Sequence, residues 1–591
     1  MNSKKNILIL DPDYKNHKKY LGINEVELIF NPKNFNDVVN GLKYEYSFYI
    51  DNLSINYKEN IDWWVSSVAS RNTIQSTSFL NLSYLLYFDA LKRDNVKIDL
   101  VLCYSKGLKK SLDKLIKNKN YSKTKTYVIK EKGIKNKLRK SIIKHFNHVF
   151  RFITESIKLE YYAHQSKPLD KKKYDNDLFL VDVFVLNNSF QKEKFVDRYY
   201  ADFLKSVKTS NLIYIATLII TKDYKNNFRK LRNSDIPFLI KEDYLRIRDY
   251  LWALFHFFRF LRLPKYYYTF NSLPVFNIFQ EDALNNLTSD STFNALLIYR
   301  LIKRIKEERI RISLLIDWFE NQNVDKALNL SMHKNYPNTK TVGYQAFTVS
   351  SNYLCVQPTK IEQRYGIIPD TIAVSGKESV NYIKTINKKL DVILAPAFRF
   401  QHIWSNNNNI NEEQRIQISL PIMMSESLEI LDLLKKVIPK VSVKLKFAIK
   451  PHPVSDKNRI EQFLKHNKME YIPIWDNAFS ECLKKTNLLI SSTSSVIIET
   501  ISKGIPVIVI GSQSQITHNP IPSSVDNRIW SLCYCSNEVI EKINYYTSID
   551  NLMKLEFIKI GKDIKENYFE PVNNITVPKF ISFLENKLKL N

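Results

Sequence analysis

Two short segments in the last third of the chain carry residues that could bind a phosphate group. The first is "IKPHPVSD", residues 449–456, in which His452 stands between two prolines after an apolar run. Proline cannot extend a sheet ladder and biases its neighbour toward extended geometry, so the segment predicts a strand that stops abruptly. His452 would then lie at the carboxyl end of that strand, where open α/β sheets bind ligands. The alternative is a structural turn with an incidental histidine.

The second segment is "LLISSTSSVIIETISKGIPVIVIG", residues 488–511. It predicts a strand, a hydroxyl-rich loop, a short helix that ends near Gly504, and another strand. Ser494 and Ser495 can cap that helix, and its first amides are left to bind an anion. Glu499 shares a helix face with Ser495, and its carboxylate can bind two sugar hydroxyls. The alternative is a well-capped helix with a solvated glutamate.

The two loops leave the carboxyl ends of strands in the same predicted sheet, so they can meet over one crevice. His452 would supply a donor that charges easily beside a phosphate. Lys450 is two residues earlier along an extended strand and therefore shares its side. The combination predicts a nucleotide-phosphate site that requires no metal and no other cofactor.

The elements around these loops alternate between strand and helix, which indicates an α/β fold with parallel sheets. "KKNILILD" and "KIDLVLCYS" read as strands near the amino terminus, and "YSFYID" as another strand between them. The pattern begins again at "KLDVILAPAF", near residues 388–391, which we interpret as the first strand of a new sheet. We therefore predict an amino-terminal Rossmann-like domain over 1–388 and a carboxyl-terminal one over 389–560. The amphipathic tail, 561–591, is predicted to return to the first domain as a helix.

A helical insertion is predicted at about 135–270 of the first domain. Its segments "KSIIKHFNHVFRFITESIKLEYYAH" and "YLRIRDYLWALFHFFRFLRLPKYYYTF" are long, aromatic, basic and helical in pattern. The second could lie on a membrane surface, with arginine and lysine beside an apolar face. The alternative is a helix that packs within its own domain and leaves its basic groups in solvent.

Composition limits the function classes. At 591 residues the chain is too long for one ordinary core, and its 10 glycines include no GxGxxG or Walker-type phosphate loop. Five scattered cysteines indicate neither a disulfide framework nor a zinc site. The formal charge of +28 suits an anionic substrate or membrane surface, and no nucleic-acid module is recognisable, so nucleic acid is not an expected partner. No apolar run is long enough for a signal peptide or a membrane span, which favours the cytoplasm.

The "KPHP" segment and "SSTSSVIIETISKGIPVIVIG" together resemble the carboxyl-terminal half of GT-B glycosyltransferases. The resemblance is to bacterial sialyltransferases and Kdo transferases, which use CMP-activated sugars and carry His-Pro and Ser-Ser/Thr motifs. Teichoic-acid glycerophosphate polymerases share a similar pair. The segments "WWVSSVASRNTIQSTSF" and "TVGYQAFTVSSNYL" look like bacterial surface-carbohydrate biosynthesis proteins. The resemblance implies two Rossmann-like domains facing a cleft, with His452, Ser494 and Ser495 on the phosphate and ribose of the donor.

Glycosyl transfer with inversion needs a carboxylate base for the acceptor hydroxyl, and the sequence leaves inversion and retention both open. The acidic-glycine motif of sialyltransferases is not intact, but "IDWFEN" offers Glu320 as the candidate base and Asp317 as the second choice. The alternative is an exposed acidic loop. Gln345, in "GYQAF", stands where related enzymes often have "QHG" and could bind an acceptor or donor by hydrogen bonds.

These observations lead us to expect a glycosyltransferase of bacterial surface polysaccharide, such as O-antigen, lipopolysaccharide or capsule. The absence of a glycine loop and of an evident Asp-x-Asp metal motif favours a CMP-linked ulosonic acid such as Kdo or sialic acid over a diphosphate donor. The acceptor would be a glycan or lipid-linked, with peripheral contact at the inner membrane. The alternatives are a UDP-sugar transferase or 2-epimerase, a CDP-glycerol-type polymerase, or a non-enzymatic membrane-peripheral scaffold with a decayed transferase core.

Overall fold

The protein is an α/β fold built on three parallel sheets, as seen in a computed structural model. The structure describes residues 4–121, 124–129, 137–166, 177–186, 189–191, 194–200, 203–207, 211–221, 223–348, 350–404 and 415–589. The predicted α/β class with parallel sheets is confirmed, although the amino-terminal half contributes two large sheets rather than one. Within the described ranges, no helix combines the length and the apolar character that crossing a membrane requires.

The first sheet has four strands in the order β2-β1-β3-β4, all parallel. Its segment consists of β1 (Lys5–Leu10), α1 (Tyr14–Lys18), β2 (Val26–Leu28), α2 (Pro32–Ser54), α3 (Ile61–Trp64), α4 (Ser67–Ser70), α5 (Ser78–Arg93), β3 (Leu100–Cys103), α6 (Lys106–Asn118) and β4 (Lys125–Val128). The strand predicted at "YSFYID" was wrong, because those residues lie inside the 23-residue helix α2. Tyr46, Ile50 and Leu53 are buried at helical spacing, which a six-residue window could not reveal.

The second sheet has seven strands in the order β15-β14-β13-β12-β5-β8-β9, all parallel. Its segment consists of α7 (Lys137–Gln165), β5 (Leu178–Leu186), β6 (Phe190–Gln191), β7 (Lys194–Phe195), α8 (Phe203–Ser206), β8 (Leu212–Ile220), α9 (Tyr224–Arg232), β9 (Phe238–Leu239), α10 (Ile247–Leu254), α11 (His256–Leu261), β10 (Thr269–Phe270), β11 (Leu273–Pro274), α12 (Phe276–Asn286), α13 (Asp290–Glu307), β12 (Ile312–Trp318), α14 (Asn323–Asn335), β13 (Lys340–Gln345), α15 (Lys360–Arg364), β14 (Thr371–Val374), α16 (Lys377–Lys384) and β15 (Asp391–Leu394).

The third sheet has five parallel strands in the order β17-β16-β18-β19-β20. Its segment consists of β16 (Arg415–Ser419), α17 (Met424–Val437), β17 (Lys446–Lys450), α18 (Lys457–His466), α19 (Phe479–Leu483), β18 (Leu488–Ser491), α20 (Val496–Ile501), β19 (Val507–Ile510), β20 (Trp530–Cys533), α21 (Ser536–Thr547), α22 (Asn551–Tyr568) and α23 (Thr576–Lys589). A separate apolar core surrounds this sheet, while the two faces of the second sheet belong to two other cores.

The range predicted as a helical insertion contains helices and strands. Helices α7, α10 and α11 lie where the sequence predicts them, but β5, β8 and β9 lie in the same range and join the second sheet. The sequences of β5 and β8, "LFLVDVFVL" and "LIYIATLII", are the near-continuous apolar runs of strands that are buried on both faces. The insertion therefore supplies part of the central sheet as well as a helical layer.

Strand β15 differs from its predicted place. "KLDVILAPAF" was expected to open the carboxyl-terminal sheet, but β15 pairs in parallel with β14 at the edge of the second sheet. The alternation of strands and helices along a chain does not specify which sheet a strand joins, and this is why the assignment failed. The third sheet begins at β16, and the division into domains at 388 and 560 remains a proposal.

Helix α23 packs against the second sheet rather than the third. The ring of Phe580 lies 5.3 Å from that of Phe203 and within 6.4 Å of those of Tyr344 and Phe398. Leu584 is buried in the same cluster. The chain thus crosses to the third sheet after β15 and comes back to the second sheet in its last described helix.

Candidate functional site

The carboxyl ends of the three sheets meet at one place. Ser514, after β19, donates to the Pro12 carbonyl after β1 at 2.9 Å. The Thr517 amide donates to Asn36 Oδ1 at 2.7 Å. Thr348, after β13, donates its hydroxyl to the carbonyl of Ser495 at 3.3 Å. Because ligands bind outside the carboxyl ends of parallel strands, these contacts define the most favourable place for a binding crevice.

A small polar crevice opens beside this junction on the third sheet. Its lining includes the polar residues Glu426, Glu429, Ser492, Thr493, Ser512, Thr517 and His518. Burial raises the pKa of Glu426 to about 7, and burial likewise raises the pKa of Glu429 to about 7. Burial lowers the pKa of His518 to about 4. Near neutral pH the crevice therefore presents a neutral imidazole and carboxyl groups that are partly protonated.

Three buried atoms of the crevice lack a hydrogen-bond partner in the described part of the chain. They are Glu426 Oε2, Ser492 Oγ and His518 Nδ1, although the Ser492 and Thr493 hydroxyls lie close enough to Glu426 to lower its pKa against the effect of burial. Buried polar atoms are usually hydrogen-bonded, so these three unpaired atoms indicate a place where a ligand or a water molecule binds. Carboxyl, hydroxyl and imidazole groups are suited to the hydroxyls of a sugar or a ribose. Sequence reasoning missed all three, although two acids in the first turns of "SESLEILDLLKK" were a usable signal.

His452 lies in the loop after β17, half-buried, as its two prolines predicted. Its Nδ1 accepts a hydrogen bond from the Val454 amide at 3.2 Å, which leaves Nε2 as the nitrogen available to a ligand. Burial lowers the pKa of His452, and the positive charge of Arg399 lowers that pKa further. The free protein therefore holds a neutral imidazole at neutral pH, rather than one that is already charged.

Arg399 is the main basic residue that sequence reasoning missed. It lies in the short 3-10 segment Phe398–Trp404 that follows β15, and it is exposed. Arg198 is also exposed, and its pKa is lowered by partial burial and by the charge of Arg399. The second sheet thus brings the Arg399 guanidinium toward His452 of the third sheet, with Arg198 within electrostatic reach of Arg399. No local motif marks Arg399, because its position depends on how the two sheets meet.

Ser494 and Ser495 immediately precede α20, as predicted. Neither hydroxyl makes a hydrogen bond to the described part of the protein, and both side chains are partly exposed. The helix gives way to Gly504, whose φ of +75° favours glycine. The two hydroxyls therefore keep their hydrogen-bonding capacity at the junction of the sheets, close to the Thr348 contact.

Glu499 and Lys450 have partners of their own. Glu499 is buried on α20, and its Oε2 accepts from His402 Nε2 at 2.9 Å. This bond ties the segment that leaves the second sheet to the third sheet. Lys450 Nζ donates to the Trp475 carbonyl at 3.2 Å. In the structure these two predicted nucleotide-binding residues therefore hold neighbouring loops in place.

Glu320 follows β12 and is half-buried. Its Oε1 accepts from Trp318 Nε1 at 2.9 Å, and its Oε2 accepts from the Gln322 side chain. Burial raises the pKa of Tyr199, the charge of Glu320 raises it further, and the charge of Arg399 lowers it. Glu320 and Arg399 therefore both lie within electrostatic reach of Tyr199, at the carboxyl edge of the second sheet.

Asp317 is fully buried and faces Asp182, its neighbour on β5. Asn329 donates to Asp317 Oδ2 at 2.6 Å, and Thr217 Oγ1 donates to Asp182 Oδ1 at 2.5 Å. Burial raises the pKa of Asp317 to about 7 and that of Asp182 well above its ordinary value. The remaining oxygens, Asp317 Oδ1 and Asp182 Oδ2, have no other partner in the described residues, so one proton held between the two carboxyl groups would satisfy both.

Gln345 is buried at the end of β13, where its amide lies 3.5 Å from the Phe319 carbonyl and 3.4 Å from that of Val356. It and Asp317 are thus enclosed in the second sheet. His452, Ser494 and Ser495 lie at the junction, and Glu320 lies at its edge. Across the described ranges, no group of three or more His, Cys, Asp or Glu side chains is placed to hold a metal ion.

Comparison with known proteins gives similarities in structure but none in sequence. No protein-family model and no curated protein matches the chain. A structure of S. aureus MnaA with UDP is similar at 10% identity and a TM-score of 0.43, over 70% of this chain and 98% of that one. The wall teichoic acid polymerase TagF with CDPG is similar at 9% identity and 0.36, over 77% and 99%. The lipopolysaccharide outer core galactosyltransferase WaaB is similar at 11% identity and 0.38, over 70% and 99%.

Proposed function

We propose that the protein is a GT-B-type glycosyltransferase that uses a nucleotide-activated sugar. The observation that carries the proposal is the junction of the sheets. Arg399 acts electrostatically on His452, Ser494 and Ser495 keep unbonded hydroxyls near Thr348, and Glu320 lies with Arg399 within electrostatic reach of Tyr199. Transfer from a nucleotide sugar needs donors for the departing phosphate, a base for the acceptor and a pocket for hydroxyls.

Each group at the junction has a proposed role. Arg399 and His452 bind the donor phosphate by charge-assisted hydrogen bonds, together with the hydroxyls of Ser494 and Ser495. As the phosphate binds, its negative charge favours protonation of His452, which then stabilises the charge that develops on the leaving group.

Glu320 is the proposed base that removes the acceptor proton. Trp318 and Gln322 hold its carboxylate, which fixes its direction. Asp317 is proposed to be a positioning residue for Glu320, because it is buried in β12, three residues before Glu320 in the chain. Gln345 similarly supports the loop after β12, and Lys450 and Glu499 support the loops on the nucleotide side.

The proposed donor is a CMP-linked ulosonic acid, such as Kdo or sialic acid. Such a donor carries one phosphate and one carboxylate, and the two guanidinium groups of Arg198 and Arg399 can each bind one anion. A UDP-linked donor offers two phosphates instead, so a UDP-sugar transferase is the alternative that the same arginines would serve. The proposed acceptor is a bacterial surface glycan or its lipid-linked precursor, such as O-antigen or capsule, at the cytoplasmic face of the inner membrane.

Titration of the purified protein with CMP, UDP, GDP and CDP by calorimetry tests the nucleotide class. We expect CMP to bind most tightly, and tighter binding of UDP or GDP would overturn the donor assignment while leaving the transferase proposal intact. Release of the nucleotide from CMP-, UDP-, GDP- and CDP-linked donors, with and without glycan, tests the reaction itself. A protein that binds no nucleotide and turns over no donor would instead be a non-enzymatic scaffold.

A further inference from the structure

Helix α7 carries a row of apolar side chains that the protein leaves in solvent. Phe146 is 67% exposed and Ile157 is 64% exposed, although both are large and apolar. The full row recurs every three or four residues and consists of Ile143, Phe146, Phe150, Ile153, Ile157 and Tyr161. The other side of the helix is packed, with Phe152 and Ala163 buried. A helix of a soluble protein normally buries such a row, so this one indicates an interaction surface.

A second exposed row follows on α10 and α11. Its members are Ile247, Leu251, Phe255, Phe258 and Leu261, and Ile247 is 80% exposed. On the opposite side of α10, Asp249 is fully buried and binds Arg300 and Arg304 of α13. The helix is therefore firmly seated by its polar side and presents its apolar side to solvent, which reverses the usual arrangement.

The two rows belong to one surface. Helix α7 runs in the same direction as α13, because His145 binds Thr288 just before α13 and Phe152 stacks on Phe293 one turn into it. Helix α10 runs in the opposite direction along α13, because Arg246 reaches Glu308 beyond the carboxyl end of α13 while Asp249 binds Arg300 and Arg304. Helices α7 and α10 are therefore antiparallel neighbours.

Tyr250 marks the contact between α7 and α10, with its ring 6.3 Å from that of Phe152 and its hydroxyl bonded to Glu160. Each exposed row lies about 100° around its helix from this contact. On both helices the row is displaced from the contact in the direction in which the residue number increases. Because the two helices are antiparallel, this displacement points to the same side of the pair, away from α13. Together they form what we call the α7–α10 face, defined by the two rows above.

Positive charge borders the α7–α10 face. Lys144 and Arg151 are exposed along α7 with Lys158, and Arg248 and Arg262 are exposed beside the second row. Three of these cations also pair with acids at the surface, in the pairs Arg151–Asp290, Lys158–Glu155 and Arg248–Glu307. The sequence that leads into α7 and includes its first residues is rich in lysine, "KEKGIKNKLRK" at 130–140, and so is the sequence that follows it, "KPLDKKK" at 167–173. An apolar row flanked by lysine and arginine is the pattern of a helix that lies in the headgroup region of a bilayer.

We propose that the α7–α10 face docks onto an anionic lipid bilayer, with both helices in the plane of the interface. Aromatic and aliphatic side chains would enter the headgroup and acyl boundary, and the basic border would bind acidic lipids. The net charge of +28 makes a second copy of this chain a poorer occupant, because docking would bring two positively charged borders together. The proposal does not depend on the transferase function.

Flotation with phospholipid vesicles tests the proposal on the full chain. We expect binding to vesicles that contain about 30% phosphatidylglycerol and about tenfold weaker binding to pure phosphatidylcholine. Raising the salt from about 0.1 M to about 0.5 M should weaken the binding to the anionic vesicles. The triple variant Phe146→Ser, Phe150→Ser, Ile157→Ser should lose at least about tenfold in vesicle partitioning.

A matched control makes the same number of changes from an exposed apolar residue to serine on another surface. Leu552, Leu555 and Ile575 are also highly exposed, near the carboxyl end, and their triple serine variant should float like the wild type. The double variant Ile247→Ser, Leu251→Ser tests the second row separately. Thermal melts and nucleotide titration without vesicles check that each variant is folded, and neither should change.

Several outcomes would overturn the proposal. It fails if the wild-type protein does not float with anionic vesicles, or if the serine variants float as well as the control. It also fails if light scattering shows that the wild type is a dimer and that the face variants are monomers, while their vesicle binding is unchanged. The face would then bind a second copy of the chain. If the wild-type protein bound no nucleotide, this result would contradict the proposed function but not the proposed membrane docking.

Discussion

Two strand-end segments, one on the second sheet and one on the third, were both predicted to carry the chemistry, but their polar groups are used differently. At the ends of β12 and β13, Asp317 and Gln345 are enclosed and bonded within their own sheet. After β18, Ser494 and Ser495 keep free hydroxyls, and Ser492 is buried with no partner in the described chain. The difference teaches that unused hydrogen-bonding capacity, and not residue type alone, distinguishes a binding segment from a supporting one.

The largest effect should come from Glu320, the one acid after β12 that is not enclosed. Glu320→Gln keeps the shape and the bond to Trp318 Nε1 but removes the proton acceptor, so transfer should fall by about 100-fold to 10,000-fold. Nucleotide affinity should not change. Initial rates with the cognate donor and acceptor measure the loss, and the exposed Glu470→Gln serves as the control. If Glu320→Gln transferred sugar at the wild-type rate, Glu320 would not be the base.

Substitutions of Arg399 and His452 test the nucleotide-binding side of the junction. Arg399→Ala or His452→Ala should weaken nucleotide binding by about 10- to 100-fold, because each removes a charge-assisted hydrogen bond to phosphate. Arg528→Ala is a matched control, since Arg528 is an exposed arginine on the third-sheet side that pairs with Asp526. Calorimetry in which Arg399→Ala and Arg528→Ala bind alike would mean that the cleft arginine does not contact the nucleotide.

The enclosed pair Asp182–Asp317 predicts a stability that depends on pH. Both pKa values are raised in the folded protein, so the folded state binds more protons than the unfolded state. The stability from the shared proton is complete below the ordinary aspartate pKa and is lost as the pH rises through about 7. Asp182→Asn removes this titration.

Between about pH 5 and about pH 7, the free energy of unfolding of Asp182→Asn should therefore increase relative to that of the wild type by about 1.4 kcal/mol per pH unit. Urea unfolding at several pH values measures the difference. Asp223→Asn, at an exposed helix cap, provides a comparison that lacks the buried pair. Parallel pH profiles for Asp182→Asn and the wild type would show that no proton is shared inside the second sheet.

The smallest predicted effect concerns the pH dependence of nucleotide binding. Burial and Arg399 lower the pKa of His452 in the free protein, and a bound phosphate should raise it again. Affinity should then increase a few-fold as the pH falls from about 8 to about 6. His452→Gln should flatten this dependence. A wild-type affinity that follows only the phosphate's own titration would contradict a direct contact.

The sequence was a good guide where local patterns determine the structure. The strand, loop and helix around Ser494 and the abrupt end of the strand before His452 were predicted from proline, glycine and hydroxyl positions, which act within a few residues. The same local reasoning failed for "YSFYID", because six residues fit either a strand or one side of a helix. Local chemistry thus located the nucleotide-side loops more reliably than it located the sheets.

What remained hidden depends on distant parts of the chain. The edge position of β15 is set by its pairing with β14, and the place of Arg399 is set by how the segment after β15 passes the third sheet. The enclosure of Asp317 depends on Asp182, 135 positions earlier, through the pairing of β12 with β5. No periodicity or motif in one sequence encodes such pairings, so these features had to be observed.

The return of α23 to the second sheet has a consequence for the order in which the protein can be built. Phe580 fills a cluster with Phe203, Tyr344 and Phe398, which are made much earlier during translation. Until the ribosome has released α23, that side of the sheet is missing an aromatic layer and exposes apolar surface. The third sheet, whose strands are close together in the chain, can mature first. Nascent chains halted before residue 576 should therefore be more susceptible to chaperone capture and proteolysis than the finished protein.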